Sequence, residues 1–402
     1  VITPDKIKEW IGEVEERPES AALIIQQIAN RLLELTRQVE AIRAENIALK
    51  SGVRVEEYER YIAHLEYQLE LLKRQFGGEV PVSDDLPPAD QPPVEIPHVL
   101  LYDPGGRVLH FPISDDALVN GGQLVQVDGD LTPTDDPPRL MVVPSTEELL
   151  FVFVSGRVAS LPVSELSPLP QEGQPSWSDA PVPYEPHAGD TLACITPISR
   201  MALSGYFVQI SRRGYVKKIR IAMAKSILAN HYIGKGVDMP TDQTLEVLLS
   251  NQDDRLVLVS HQGYLLCLET EMVSPAVEEA MRLGSSDHLV SAFIARPGQG
   301  YLVMTQLGKL IYRLGNTLET TPTLKRKGQA VFSARRREQG VRVVAAGVVR
   351  EDDWGLALHQ DGRLTVHAMR DVLGAGTLPV DGVLLAFTIF PAPAIGTSAT
   401  EA

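Results

Sequence analysis

Long apolar runs are missing from this 402-residue chain. No stretch reaches the roughly 18 uninterrupted apolar residues that a membrane-spanning helix needs. Cysteine is nearly absent as well: Cys194 and Cys267 stand far apart, in apolar surroundings and outside any CxxC pair. Neither a zinc site nor a redox motif is expected from them, and both read as buried thiols in a reducing compartment. The opening stretch, "VITPDKIKEWIGEVEERPES", lacks the basic start and apolar core of a secretory signal. A cytoplasmic location is the expectation.

The usual marks of catalysis are also missing. The histidines show no HxxxH or HExxH spacing; His98, His110, His231, His261, His288, His359 and His367 are scattered. Single packed or exposed imidazoles account for them better than a metal site does. "GKL" at Gly308 is no phosphate loop, because seven residues separate Gly300 from Gly308 and Leu310, not Ser or Thr, follows Lys309. The acid runs at 83–85, 114–116 and 351–353 read as solvated turn charges rather than paired catalytic carboxylates. No catalytic residue, metal ligand or cofactor motif emerges, and an enzyme is not expected.

Positive charge is scarce overall but unevenly so. The formal net charge is −15, yet Lys and Arg stand against Asp and Glu as 11 to 14 over residues 1–76, 4 to 19 over 77–200, and 22 to 19 over 201–402. The acid lies in the middle and the C-terminal half is mildly basic, so the total does not exclude nucleic acid as a partner of that half.

What is present falls into regions. Residues 1–76 are expected to be helical. Ile25, Ile28, Leu32, Leu35, Val39, Ile42, Asn46 and Leu49 follow the three-four spacing of a heptad seam. β-Branched Ile25 and Val39 at a, Leu35 and Leu49 at d, and one polar a residue, Asn46, suit a parallel two-stranded coiled coil. A homo-oligomer joined there is the expectation; the alternative is an amphipathic helix packed on its own chain. A second seam, Val55, Tyr58, Ile62, Leu65, Leu69, Leu72 and Phe76, is offset from the first across Ser51-Gly52. Glycine in a helix interior costs about 1 kcal/mol, so a kink or hairpin fits that break. Residues 77–97 hold six prolines and five acids, the composition of an extended linker. Residues 391–402 read as a flexible tail.

Residues 98–390 read as all-β. Six segments share the order strand, glycine turn, strand: "VLLYDPGGRVLHFPI", "LLFVFVSGRVASLPV", "YFVQISRRGYVKKIRI", "RLVLVSHQGYLLCLE", "YLVMTQLGKLIYRL" and "WGLALHQDGRLTVHAM". Their glycines, Gly106, Gly156, Gly214, Gly263, Gly308 and Gly362, recur at separations of 50, 58, 49, 45 and 54 residues. A tight hairpin needs positive φ, which glycine supplies. Strand-turn-strand units at this period predict radially arranged blades.

In these hairpins, above all "LLFVFVSGRVASLPVSEL" (149–166) and "YFVQISRRGYVKKIRI", the chain resembles the C-terminal domain of the DNA gyrase A subunit and its topoisomerase IV relative. The resemblance covers about residues 98–390 and implies an all-β, six-bladed β-pinwheel, propeller-like, preceded by the coiled coil. It also implies a basic outer rim around which duplex DNA bends. Candidate DNA-binding residues are then Arg212, Arg213, Lys217, Lys218 and Arg220 in the third hairpin, Lys235, and Lys325, Arg326, Lys327, Arg335, Arg336 and Arg337 in a cluster placed between the fifth and sixth blades. One of the paired lysines, Lys217 or Lys218, must lean out along the surface, because neighbouring strand residues face opposite ways.

The family's wrapping box of Gln, Arg or Lys, and Gly has only incomplete counterparts, "HYIGKGV" (231–237) and "RKGQA" (326–330). Blades one and two are acidic, which leaves at most an arc over blades three to six. The family's cleavage apparatus, a nucleophilic tyrosine in a winged-helix region, has no counterpart; Tyr58, Tyr61 and Tyr67 sit at helical packing positions. The expected function is therefore non-catalytic, sequence-independent binding or bending of duplex DNA by a dimer, nucleoid-associated if so. The alternative is a protein-interaction scaffold, with the basic clusters meeting an acidic protein surface.

Overall fold

In the computed structural model the chain divides into two compact units, residues 1–91 and 92–402. The described residues are 95–129, 131, 138–167, 175–184, 189–296 and 298–392, all within the second unit. The expected coiled coil, its heptad residues and nearly all of the linker lie outside them.

The described residues of the second unit form 21 strands. In chain order they are β1 (Pro97–Tyr102), β2 (Val108–Pro112), β3 (Gly122–Gln126), β4 (Arg139–Pro144), β5 (Glu148–Phe153), β6 (Val158–Pro162) and β7 (Leu192–Pro197). Then come β8 (Tyr206–Ser211), β9 (Tyr215–Arg220), β10 (Thr244–Ser250), β11 (Arg255–Ser260), β12 (Tyr264–Glu269), β13 (Glu278–Glu279) and β14 (Leu289–Ala295). The last are β15 (Gly300–Thr305), β16 (Leu310–Leu314), β17 (Gln329–Ala330), β18 (Val343–Val349), β19 (Trp354–His359), β20 (Arg363–Ala368) and β21 (Leu384–Phe390).

They form six antiparallel sheets, or blades: β4-β1-β2, β7-β5-β6, β10-β8-β9-β13, β14-β11-β12-β17, β18-β15-β16 and β21-β19-β20-β3. In every blade the first strand of the glycine hairpin is central and the next long strand returns along its inner side. The six inner strands line a central channel of about 580 Å³.

Packing between blades explains the composition of the central strands. Val99 and Leu101 face blade 6 with Leu356 and Leu364, whereas Leu100 and Tyr102 face blade 2 with Leu149 and Phe151. Each further neighbouring pair shares a core of the same kind, so six cores close a ring. A strand buried on both faces needs no polar positions. The central strands are therefore continuous apolar runs, as in β5, where every residue from Leu149 to Phe153 is buried. Cys194 and Cys267 are buried free thiols, and burial pushes their pKa values up to about 12 and about 11.

The outer edge of each blade is covered by chain from the next blade. β13 leaves the blade 4 hairpin to pair with β9, and β17 leaves blade 5 to pair with β12. Single contacts do this elsewhere: Val108 N–H to Pro181 O at 2.9 Å, Val158 N–H to His231 O at 3.0 Å, and Leu378 N–H to Gly308 O at 2.8 Å. β3 from blade 1 pairs with β20 and so closes the ring on blade 6. This exchange gives the hairpin glycines a second role. Gly214 (φ 87°) and Gly362 (φ 84°) are left-handed, and a Cβ on either would overlap the carbonyl of the arriving strand, Met281 or Val127. Among the described residues no helix is long and apolar enough to cross a membrane.

Candidate nucleic-acid interface

Each hairpin turn is locked by short polar contacts before any functional side chain is placed. The glycine N–H reaches the carbonyl three residues earlier, for example Gly214 to Ser211 at 3.1 Å and Gly263 to Ser260 at 2.9 Å. In blades 3, 4 and 5 the residue after glycine donates its N–H to the side-chain oxygen of that same earlier residue: Tyr215 to Ser211 at 3.0 Å, Tyr264 to Ser260 at 3.1 Å, Lys309 to Thr305 at 3.0 Å. Acids just before the inner strands tie the turns down. Asp287 accepts from Ser260 Oγ at 2.8 Å and from the N–H groups of Gln262 and His288 at 3.0 Å each. Asp242 accepts from the N–H groups of Arg213 at 3.0 Å and Gln243 at 2.9 Å, and Asp190 from Ser155 N–H at 3.0 Å. These aspartates escaped sequence reading, although "GDTL", "TDQTL" and "SDHL" recur before the inner strands.

On that frame the third-hairpin cations disperse. Arg212 does not stand on the rim: half-buried, it lines the central channel with His261 and His288. Lys217 is also withdrawn, only 8% exposed, with Nζ donating to Ile233 O at 3.3 Å and Lys235 O at 3.1 Å. Burial lowers its pKa. Its neighbour Lys218 is the lysine that leans out, Nζ donating to Thr270 O at 3.1 Å and Glu271 O at 3.0 Å and lying 5.0 Å from the Tyr206 ring centre. Burial, the largest cause, lowers its pKa too. Arg213 reaches the carbonyls of Asp287 and, at 3.1 Å, Gly284. Arg220 and Lys235 are exposed.

The second cluster belongs to blade 5, between β16 and β18, and reaches back over blade 4 rather than forward toward blade 6. Lys327 and Arg337 bracket the Tyr264 ring, with Nζ at 4.3 Å and the guanidinium carbon at 4.9 Å from its centre. Arg337 also donates to Phe332 O, and Arg342 donates to Arg337 O at 2.8 Å. Arg335 and Arg336 are exposed on a short helix, Ala334–Glu338. Lys325 and Arg326 are exposed; Lys325 takes a left-handed φ of 62°, and Arg326 Nε donates to Thr323 Oγ1 at 2.9 Å.

Strand exchange joins the two clusters. Lys325 N–H donates to Ala280 O at 2.9 Å, Arg282 N–H donates to Arg326 O at 2.9 Å, and Ala280 N–H donates to Gly214 O at 2.8 Å. The chain crossing the blade 3 turn thus carries Arg282 alongside Lys325–Lys327. Sequence reading missed Arg282, and also exposed Lys309 and Arg313 in blade 5. Arg313 shares a surface depression of about 450 Å³ with Ser333 and Arg336. The repeat held one signal for Lys309: the position after each turn glycine is Arg, Arg, Tyr, Tyr, Lys, Arg in order.

The partners of these cations divide the ring. In blade 1, Arg107 pairs with Asp103 at 2.6 Å and lies 5.1 Å from the Trp177 ring centre. In blade 6, Arg363 pairs with Asp361 at 2.6 Å and Asp381 at 3.4 Å. Blades 3 to 5 hold one such pair, Arg296 with Asp254 at 3.2 Å, while Arg213, Lys218, Arg326, Lys327 and Arg337 rest on carbonyls, a hydroxyl or tyrosine rings, and Arg282 is 3.8 Å from Glu279. A neutral partner orients a cation without cancelling its charge. The uncompensated arc therefore spans blades 3 to 5, one blade fewer than the sequence suggested.

No protein-family model matches the sequence, and no curated protein does. Solved structures do. The DNA gyrase A C-terminal domain aligns at a TM-score of 0.53 and 13% identity, over 73% of this chain and 99% of that one. The C-terminal domain of DNA topoisomerase IV aligns at 0.46 and 19% identity, over 74% and 94%. The E. coli ParC C-terminal domain aligns at 0.41 and 15% identity, over 62% and 100%.

Proposed function

From a ring that has the β-pinwheel fold of the DNA gyrase A C-terminal domain, we propose that this chain is a non-catalytic protein that binds and bends duplex DNA along the arc of blades 3 to 5. One observation carries the reading: Arg282, Lys325, Arg326, Lys327, Arg335, Arg336 and Arg337 are brought side by side with their charge largely uncompensated. Arg213, Lys218, Arg220 and Lys235 extend the arc over blade 3; Arg212 and Lys217 are not among its contacts. Such cations meet phosphates, so binding is independent of base sequence.

The heptad residues Ile25 to Leu49 would join two such rings. Coupling two weak sites raises apparent affinity by about 10²–10⁴ where geometry permits, which suits bridging or bending.

The test is binding to a fluorescent random-sequence duplex across a salt series. Each neutralised phosphate adds roughly 0.9 to the log–log slope. Reversing Arg326, Lys327, Arg335 and Arg336 together is expected to weaken binding at least tenfold; unchanged affinity sinks the arc. The second reading, a protein scaffold, draws on the carboxylate-neutralised arginines of blades 1 and 6. Absence of duplex binding even at low salt would favour it.

A further inference from the structure

All six inner strands begin at the glycine-turn end of the ring, where Arg139 lies opposite Tyr102, Leu192 opposite Phe153, Thr244 opposite Ser211, Leu289 opposite Ser260, Val343 opposite Thr305 and Leu384 opposite His359. The central channel has one mouth at that end, and main-chain bonds between blades tie its edge together. Arg212 N–H donates to Gln243 O at 2.9 Å, and Leu289 N–H to Arg212 O at 2.8 Å. His261 N–H donates to His288 O at 2.8 Å, and Val343 N–H to His261 O at 2.9 Å. These bonds set Arg212, His288 and His261 in succession from blade 3 to the border of blade 5, and all three line the channel half-buried. The two imidazoles stack with ring centres 4.7 Å apart. Arg342 precedes β18 as His288 precedes β14. Burial first, then the charge of Arg342, lowers the His261 pKa, which puts a second guanidinium close by.

The acids at this mouth are engaged elsewhere. Both oxygens of Asp287 accept bonds, from Ser260, Gln262 and His288, and Asp242 Oδ1 accepts from Arg213 and Gln243. Glu246 is the only acid among the described lining residues, and it lies deeper, two positions after Thr244 on β10. It takes the Ala292 N–H at 3.2 Å and has the Arg139 charge beside it. Farther along their strands, Leu248, Val348 and Ile389 make the wall apolar, and among the described residues no charged side chain lines the channel beyond Glu246. A volume of about 580 Å³ falls within the range of small-molecule sites, which combine apolar walls with a few convergent polar groups. A cationic mouth over an apolar shaft matches neither a bare ion nor a hydrocarbon; it matches a molecule that is both.

We propose that the central channel binds a small amphipathic anion, its carboxylate or phosphate head held at the mouth by Arg212, His261 and His288 and its apolar body lying along Leu248, Val348 and Ile389. This site is separate from the DNA arc, because Arg212 faces the channel and takes no part in the outer rim. It gives the basic residue that the rim does not use a ligand of its own.

Imidazole resonances of His261 and His288 in the full chain report the site directly, titrated separately with octanoate, octyl phosphate, inorganic phosphate and octanol. Saturable shifts at both rings with octanoate or octyl phosphate support it, and whichever binds tighter identifies the head. Either is expected to bind about tenfold or more tightly than inorganic phosphate or octanol, because each control lacks one of the two halves. No saturable shift with the two amphiphiles overturns the site, and inorganic phosphate binding as tightly as octyl phosphate overturns the apolar half. Arg212→Gln is expected to weaken the amphiphile about tenfold while duplex affinity stays that of the parent. Unchanged amphiphile affinity removes Arg212 from the site, and a parallel loss of duplex affinity overturns its separation from the DNA arc. Should that variant fail to fold, the wild-type titration still decides the site. Absence of duplex binding by the parent chain would sink the DNA reading and leave this one standing.

Discussion

Gly362 shows how much a single position carries in this fold. Its φ of 84° and the Val127 carbonyl where a Cβ would stand make two demands that only glycine meets. Gly362→Ala is expected to destabilise by more than about 1 kcal/mol, read as a lower melting temperature, while Gly340→Ala, equally left-handed but with open space around it, falls less. The buried titratable groups act at the same scale. His110 and His367 are each held near pKa 4, chiefly by burial, and His359 is lowered for the same first reason. Unfolded imidazoles titrate near 6.5, so below that value the unfolded chain binds more protons and stability falls as pH drops towards 4. Glu246, raised by burial to about 7, works the other way, its contribution being lost as pH rises through 7. The two act over overlapping ranges with opposite sign, so three imidazoles against one carboxyl leave a melting temperature expected to fall on acidification below about 6.5, and His367→Gln should flatten that limb.

The exchanged segments dominate at the scale of elements. β3 fills the edge of β20 with pairs from Arg363↔Gln126 to Val366↔Gly122 and is the one that closes the ring. Val125→Pro removes a backbone donor and distorts that edge. Such a variant is expected to melt earlier and to associate through the uncovered strand, measurable by calorimetry and light scattering. On blade 4 the Tyr264 ring holds Lys327 and Arg337 through its face. Tyr264→Phe should bind duplex as the parent does, whereas Tyr264→Leu should weaken binding, because only the ring quadrupole is needed. Equal affinity for the two variants would remove the ring from the interface. The hairpins themselves were legible in the sequence, since strand-turn-strand patterns and turn glycines are local signals. Exchange was not legible: β13 and β17 are two residues each, too short for any periodicity.

For the whole molecule, the unevenness of charge matters more than its sum. A total of −15 coexists with an arc of cations resting mostly on neutral partners. Reversing charge within the arc should reduce both affinity and salt slope, whereas Arg363→Gln in blade 6 should change neither, because Asp361 and Asp381 already offset that guanidinium. A matching loss from both variants would mean that the full circumference binds. Basic over three of its six blades, the ring is expected to contact a shorter length of DNA than a fully basic rim would. Footprint length against a duplex-length series checks this.

The sequence by itself determined the repeat: six glycine turns between apolar strands, because φ and turn chemistry depend on the nearest few residues. It also located both concentrations of basic residues. Only the tertiary structure decided which of those residues face outward. Lys217 and Lys218 are neighbours with the same side chain, yet one is drawn under the Ile233–Gly236 loop and the other lies along Tyr206. Arg282 joins Lys325–Lys327 across more than forty positions of sequence. Such choices depend on partners supplied by distant chain, and strand exchange places those partners outside any local window.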